Sequence, residues 1–372
     1  MDVAIEDVGG WTIGVGTSKR AREQEKGVGP LFDFLLSCFG PLQHCDSSTK
    51  PAPTRTIADD RHKDHPIDHF ADRVRRLCRD RGAPVCVGID PVYERLPDDL
   101  RPGGPRVAAD DRVEAIGKFC TAVMETVAPH VVCVKIQSAC FERYLWPGVE
   151  LFHRLVAHAR ELGVLVIADA KRGDIGVSAE HYAAGCLGPV PYEDLGKLLG
   201  PDALTVNSYL GSDSLDPFLA VAAANGRGLF ALVRTSNPGS DTVQSLPLSD
   251  GRTVSDAVAQ MIDEVGDDAS LLGHCGDSLL GAVVGATKAA DAARLRQLMP
   301  RQIFLVPGFG AQGGRAQDVA ACFRPDGTGA LITASRSVLY AYENRDGLDW
   351  QKAIEQAAIE MKTQIIRVMQ EM

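Results

Sequence analysis

The segment Leu162-Gly-Val-Leu-Val-Ile-Ala168, followed at once by Asp169-Ala-Lys171-Arg-Gly-Asp174, joins an apolar run to a dense row of charges. A continuous apolar run of this kind predicts a strand that is covered on both faces. In a parallel α/β barrel the carboxyl ends of the strands carry the active site, so the charges stand at a catalytic position. Charges beside a dry strand are unfavourable unless they neutralise one another or meet a ligand. A structural ion-pair cluster at the barrel rim is the alternative interpretation.

Short apolar runs alternate with helical patterns along most of the chain. The predicted strands are Val85 to Ile89, Val131 to Ile136, Leu165 to Ala168, Ala203 to Val206, Leu229 to Val233, Leu279 to Val284, Ile303 to Val306 and Ala330 to Thr333. Strands and helices that alternate in this way predict an α/β fold, a (β/α)₈ TIM barrel over residues 66–372. An open doubly wound sheet is the structural alternative.

Composition limits the possible functions and locations. Residues 1–65 mix Gly, Pro, Ser and charge without a sustained apolar period, which predicts a poorly ordered extension. A net charge of −10 argues against nucleic-acid binding, because phosphate backbones are held by surplus Lys and Arg. The ten cysteines form no C-x-x-C pair, which favours a reducing cytoplasm. Apolar stretches are too short to span a membrane.

Polar side chains follow nearly every predicted strand, and they would converge in one pocket if the barrel closes. They are Asp90, Lys135, Gln137, Asp169, Lys171, Asp174, Asn207, Ser236, Asn237, Thr287, Gln312 and Arg336. After the seventh strand, the segment from Gly308 to Gly314 can bring backbone N–H groups close to an anion. Arg336 after the eighth strand adds a bidentate donor. Phosphate sites in such barrels usually lie at these strands, which favours a phosphate site over a flexible turn.

These motifs resemble the orotidine 5′-phosphate decarboxylase family over about residues 67–345, and in particular its longer bacterial branch. The resemblance is carried by Val87-Gly-Ile-Asp90-Pro91, Val134-Lys135-Ile-Gln137, Asp169-Ala-Lys171-Arg-Gly-Asp174-Ile175, Ala203-Leu-Thr-Val-Asn207, Thr235-Ser236-Asn237 and the Gln312 and Arg336 loops. It implies conversion of orotidine 5′-phosphate to UMP and CO₂ in pyrimidine biosynthesis, with neither a metal nor another cofactor. Loop 141–148 departs from the family's glycine arrangement.

The resemblance also implies a role for each residue of the site. Lys171 would stabilise a carbanion at the pyrimidine C6 and donate the proton that replaces CO₂, within a charge network formed with Lys135, Asp169 and Asp174. A homodimer is implied, because Asp174, Ile175 and Ser178 would reach into the neighbouring subunit's site. The remaining implied contacts are Asp90 and Lys135 to the ribose, Ser236 to the pyrimidine, and Gln312 and Arg336 to the 5′-phosphate.

Two other functions stay open at this point. A related sugar-phosphate decarboxylase or aldolase shares the D-x-K-x-x-D segment but uses magnesium to stabilise an enediolate. That chemistry requires a carboxylate at the end of the second strand, where this chain has Lys135, whose charge would repel the metal. A non-catalytic nucleotide-binding barrel would keep the charge row only as a structural remnant.

Overall fold

The computed structural model describes residues 68–101, 107–189, 200–286, 289–310, 316–345 and 347–372. The predicted extension 1–65, Thr287 and Gln312 lie outside these described residues. The strands of the described ranges are β1 Val85–Ile89, β2 Cys133–Gln137, β3 Leu165–Arg172, β4 Ala203–Val206, β5 Gly228–Arg234, β6 Leu280–Val284, β7 Phe304–Val306 and β8 Ala330–Ala334. They form a closed barrel in chain order, in which β8 pairs with β1 in parallel. The predicted TIM barrel is confirmed.

Helices alternate with the strands along the same ranges. They are α1 Phe70–Arg81, α2 Ala109–Val127, α3 Ala139–Glu142, α4 Leu145–Glu161, α5 Gly176–Leu187, α6 Asp216–Ala224, α7 Asp241–Gln244, α8 Val254–Gly266, α9 Ala289–Leu298, α10 Ala316–Ala320, α11 Arg336–Leu339 and α12 Trp350–Glu371. The apolar faces of α2 and α12 pack on the outside of the barrel, where Phe119 and Ile365 share one cluster with Val87 of β1. Among the described helices, none combines the length and apolar character needed to cross a membrane.

The amino-terminal end of the barrel interior is filled by α1. Phe70 packs edge-to-face on Phe230 of β5, with 5.9 Å between the ring centroids, in a second buried cluster that includes Cys86 and Ile167. Gly228 makes room for this contact, since a Cβ at that position would lie 2.2 Å from Phe70 Cδ1. The α1 helix therefore closes the amino-terminal end of the barrel interior.

The β3 strand differs from its prediction in a way that matters for the site. Its predicted end at Ala168 is wrong, because the strand continues to Arg172 and contains Asp169 and Lys171. Pairing with β4 shifts register between Ala168 and Arg172, so the chain bulges there and then resumes pairing at Val206. The charges are therefore held by strand backbone, which positions them more rigidly than a loop would.

Candidate active site

Three predicted catalytic side chains meet at the carboxyl end of the barrel. Lys135 Nζ lies 2.6 Å from Asp169 Oδ2, and Lys171 Nζ lies 2.5 Å from Oδ1 of the same carboxylate. Lys135 and Asp169 are buried, whereas the Lys171 side chain is 48% exposed. The carboxylate thus links an ammonium inside the barrel to a second one that remains accessible.

The Asp169 carboxylate is also held by neutral donors. Gln137 Nε2 donates to Oδ2 over 3.2 Å, and Thr205 Oγ1 donates to Oδ1 over 3.2 Å. Burial by itself would raise the pKa of Asp169, but the charges of Lys135 and Lys171 lower that pKa to about 2. Asp169 is therefore a fixed negative charge at neutral pH.

The charge state of Lys135 is determined by its two carboxylate neighbours. Burial by itself would lower the pKa of this ammonium, but Asp90 and Asp169 raise it above its usual value. The Asp90 carboxylate lies 3.9 Å from Lys135 Nζ, and its buried Oδ1 has no hydrogen-bond partner in the described part of the chain. Lys135 therefore stays charged, and the Asp90 side chain, which is 30% exposed and lines a cavity, has carboxylate surface that a ligand hydroxyl could contact.

Lys171 lies at an irregular point of β3. Its Nζ contacts Asp169 Oδ1, although the pairing with β4 shifts register between Ala168 and Arg172 and the regular alternation of side chains is interrupted there. Lys171 has a φ of 48°, in the left-handed region that non-glycine residues rarely adopt. Its N–H donates to Thr205 Oγ1 over 2.9 Å, which fixes this turn of the backbone. Strain of this kind is concentrated at functional sites.

Two adjoining cavities open from this cluster. The larger has a volume of about 690 Å³, and its polar lining includes Lys171, Asn207 and Ser236. The smaller, of about 180 Å³, is lined by Asp90 and Arg336 among others. Lys135, Asp169 and Pro307 line both cavities, so one elongated ligand could contact the charged cluster and reach Arg336.

The smaller cavity has the features predicted for a phosphate site. Gly308 and Gly310 adopt φ values of 96° and 78°, which only glycine adopts readily. Arg336 is exposed at the start of α11, and its side chain forms no ion pair or hydrogen bond with the residues that the structure describes. Its guanidinium is therefore available to an anion. Gln312, the other predicted phosphate contact, lies outside the described residues.

The residues predicted to act across a dimer interface do not line this chain's own two cavities. The Asp174 carboxylate accepts a hydrogen bond from the N–H of Ile175 over 2.9 Å, and the Ile175 side chain is 59% exposed. Ser178 is exposed on α5. Within the described ranges, none of the three lines either cavity, so one chain brings together only the Lys135, Asp169 and Lys171 part of the predicted network.

Sequence analysis missed two residues that hold parts of this site in place. Thr205 bonds both the Asp169 side chain and the Lys171 backbone, and the buried Arg234 at the end of β5 anchors a cavity wall. Each left a signal in the sequence. Thr205 is a hydroxyl within an apolar strand, and Arg234 is a charge at the end of one.

The fold and the site define a (β/α)₈-barrel with a partly buried cluster of charges beside a glycine-containing loop at the carboxyl ends of its strands. Residues 83–347 match the model of the Orotidine 5′-phosphate decarboxylase / HUMPS family. The chain therefore belongs to this family, and the resemblance found in its motifs is confirmed.

Individual relatives agree with this assignment. The orotidine 5′-phosphate decarboxylase of Rhodopirellula baltica is 40% identical over 302 residues, which are 80% of this chain and 98% of the relative. That of Deinococcus radiodurans is 42% identical over 288 residues, 77% of this chain and 94% of the relative. The structure of Leishmania donovani OMP decarboxylase matches with a TM-score of 0.62 at 27% identity, covering 81% and 98% of the two chains.

Proposed function

We propose that this chain is an orotidine 5′-phosphate decarboxylase that forms UMP and CO₂. The observation that carries the proposal is the Asp169 carboxylate held between Lys135 and Lys171 at the edge of a cavity of about 690 Å³. Two relatives that bear this name are 40% and 42% identical over more than three quarters of the chain. The family also includes barrels that act on sugar phosphates. The reaction therefore has to be inferred from the side chains of the site.

Lys171 is suited to the bond-breaking step. When the C6–carboxylate bond of the substrate breaks, its electron pair stays on C6, where no adjacent carbonyl can delocalise it. The partly exposed ammonium of Lys171 can stabilise this charge electrostatically, and it can then donate a proton to C6. The carbanion becomes the C6–H of UMP, and CO₂ leaves.

Asp169 orients Lys171 through their 2.5 Å contact. It would also face the substrate carboxylate. Two like charges about 4 Å apart repel by roughly 4 kcal/mol at an effective dielectric constant of about 20, and departure of CO₂ relieves that repulsion. Lys135, Gln137 and Thr205 hold the carboxylate in place, so it cannot turn away from the substrate.

Arg336 and the Gly308–Gly310 backbone would bind the 5′-phosphate, with Gln312 as a further contact. This end of the substrate lies away from the breaking bond, yet its binding energy can hold the pyrimidine against Asp169. The unpartnered guanidinium of Arg336 and the shared lining of the two cavities support this role. Asp90, beside Lys135, would accept a hydrogen bond from a ribose hydroxyl.

A homodimer would complete the site. Asp174, Ile175 and Ser178 would reach the neighbouring subunit's substrate, which is consistent with their absence from the lining of this chain's own cavities. Exposed apolar side chains next to them, such as Val177 with 66% of its surface accessible, are typical of a surface that another protein covers. Residues 66–372 would form the single catalytic domain. The free cysteines of the described chain suit a reducing cytoplasm.

The test is to incubate the full chain with orotidine 5′-phosphate in EDTA and to follow both the substrate absorbance and the released CO₂. Decarboxylation at full rate in EDTA is expected, because Lys135 stands where a magnesium-dependent relative needs a carboxylate. A Lys171→Ala preparation purified in parallel controls for contaminating host enzyme. UMP binding without any loss of substrate would instead identify a non-catalytic nucleotide-binding barrel.

A further inference from the structure

One wall of the larger cavity, residues 235–245, is anchored on a buried arginine that does not itself line the cavity. Arg234 is the last residue of β5, and 1% of its surface is exposed. A guanidinium has five N–H donors, and here each of them meets an acceptor. Nε donates to Asp291 Oδ2 (2.9 Å), Nη1 to Ser240 Oγ (2.9 Å) and Gln244 Oε1 (3.2 Å), and Nη2 to Asp241 Oδ1 and Ser245 Oγ (3.2 Å).

The location of these acceptors shows which part of the molecule Arg234 stabilises. Ser240, Asp241, Gln244 and Ser245 lie in the segment that follows β5, and Asp291 lies on α9. In the described chain, no acceptor of this guanidinium belongs to a barrel strand. The buried charge therefore holds a loop in place, while the sheet is held by its own backbone pairing.

Further hydrogen bonds connect the residues bound by Arg234 to the residues that line the cavity. Gln244 Oε1 also accepts the N–H of Thr235 over 2.9 Å, and its Nε2 donates to Thr235 Oγ1 over 2.9 Å. Thr235 Oγ1 then donates to Asn237 Oδ1 over 2.6 Å. Thr235, Ser236, Asn237 and Gln244 all line the cavity. A shift of Arg234 would thus displace the residues on both sides of Ser236.

A chain of ion pairs connects Arg234 to a second wall of the cavity. Asp291 Oδ1 accepts from Arg294 Nη2 over 3.0 Å, and Arg294 Nε donates to Asp256 Oδ1 over 2.7 Å. Asp256 forms the capping box at the start of α8 with Thr253. The first turns of α8 contribute Val254, Ser255 and Val258 to the cavity lining. Alternating charges therefore connect two walls of the cavity through residues outside it.

Close packing leaves the loop little freedom. A Cβ at Gly285, just after β6, would lie 3.0 Å from both Ser236 N and Ser236 Cβ, so Ser236 rests directly on this glycine. The N–H of Gly285 donates to the Arg234 carbonyl over 2.8 Å. The end of β6 supports Ser236 from below, and Arg234 fixes the rest of the loop.

We propose that Arg234 is a positioning residue, which holds the 235–245 loop in its pyrimidine-binding geometry before substrate arrives. The inference rests on the proposed function, since it takes the ligand of this wall to be a pyrimidine nucleotide. A lysine at this position would keep the charge but has three donors in place of a planar fork of five. It could not hold Asp291 and both ends of the 240–245 segment together.

The experiment compares Arg234→Lys with Arg296→Lys as a matched control. Arg296 is also buried and bonds the Gln302 and Gly329 carbonyls, but these lie at the starts of β7 and β8, at the far end of the barrel. For each variant, kcat/KM, UMP affinity and ribose 5-phosphate inhibition are measured, together with hydrogen exchange of peptides that cover 235–245. Ribose 5-phosphate carries the phosphate and sugar but no pyrimidine, so it reports binding that is independent of this wall.

Arg234→Lys is expected to lower kcat/KM about a hundredfold, the size typical of a displaced substrate-positioning group. It should also weaken UMP binding, leave ribose 5-phosphate inhibition unchanged and speed exchange in the loop. Arg296→Lys should change none of these. If Arg234→Lys fails to fold, Asp291→Asn removes one acceptor charge from outside the cavity and is expected to show the same selectivity in weaker form.

Equal loss of UMP and ribose 5-phosphate binding, or variants of Arg234 and Asp291 that match the Arg296 control, would overturn the positioning role. Such a result with an active wild-type chain leaves the proposed decarboxylase intact. A wild-type chain that forms no UMP would overturn the decarboxylase itself. Exchange in the 235–245 loop reports on the positioning role in either case.

Discussion

Two buried aspartates lie at opposite ends of the barrel, and each is surrounded by cations. Asp169, at the carboxyl end of β3, contacts Lys135 and Lys171. Asp202, immediately before β4, is contacted by three guanidiniums, those of Arg73 at 2.7 Å, Arg227 at 3.1 Å and Arg160 at 3.5 Å. By the number of neighbouring cations alone, Asp202 would be the more unusual of the two sites.

The difference lies in what the cations do beyond the ion pair. At Asp202, Arg73 and Arg160 also donate to the carbonyls of Gly226 and Gly200, so the cluster holds α1 and α4 against the start of β4. At Asp169, Lys171 is half-exposed, has a left-handed backbone and faces a cavity. At Asp202 two of the three cations thus also bind backbone carbonyls, whereas at Asp169 one of the two cations faces the cavity proposed to hold the substrate.

The sharpest test of this contrast is Lys171→Ala. Loss of the ammonium removes both transition-state stabilisation and the proton donor, so turnover should fall by about ten-thousandfold. UMP should still bind, because the phosphate and ribose contacts remain. Decarboxylation assays and calorimetry with UMP measure the two quantities. Turnover near the wild-type rate would contradict the catalytic role of Lys171.

The opposite result is expected for Asp202→Asn. It leaves three buried or half-buried guanidiniums without their common counterion, which should cost about 3–5 kcal/mol in the free energy of unfolding. The kcat of the folded enzyme should be unchanged. Urea denaturation and initial-rate assays at saturating substrate distinguish the effects. A loss of kcat at unchanged stability would assign Asp202 to the active site.

Arg336→Ala tests a cation that has no partner within the described protein. The variant should lower kcat/KM about a hundredfold, through weaker substrate binding and slower turnover, because a charged hydrogen bond to phosphate is lost. Arg79→Ala, which removes an exposed arginine from α1, is the control and should behave as wild type. Wild-type kinetics in Arg336→Ala would remove this residue from the phosphate site.

The smallest effect is a pH dependence of stability. Because the folded-state pKa of Asp169 is lowered to about 2 from an ordinary value of 3.8, its stabilisation is complete well above pH 3.8 and is lost as the pH falls toward 2. The contribution amounts to about 2 kcal/mol. Asp169→Asn should therefore flatten the acid limb of the unfolding free energy. Parallel acid limbs for the variant and the wild type would disprove the lowered pKa.

Much of this architecture could be predicted from local patterns. All eight strands were predicted, and apart from the end of β3 their bounds agree with the structure within two residues. Runs of apolar residues reveal strands buried on both faces because such strands have no polar face to interrupt the pattern. The family was also predicted, since Lys135 and the Asp169 to Asp174 segment keep a recognisable order along the chain.

Errors and omissions arose where distant segments act on one another. The end of β3 was misplaced because the register shift depends on pairing with β4 and on the Thr205 hydroxyl, which lies 34 residues after Lys171. Arg234 was not among the predicted site residues because it does not line the cavity itself and acts through Gln244 and Asp291, whose contacts with it form only in the folded chain. Neither set of contacts produces a periodic pattern that could be recognised in a short stretch of sequence.

The sequence by itself determined the barrel, the family and the charged residues that the active site would need. The reason is that buried strands appear as continuous apolar runs, and the polar residues at their ends follow directly in the chain. Only the tertiary structure decided that Asp169 joins Lys135 to Lys171, that Lys171 adopts a left-handed backbone and that Arg234 supports a cavity wall. These features depend on distances of a few ångströms between different strands and loops, and such distances are set by barrel closure and register.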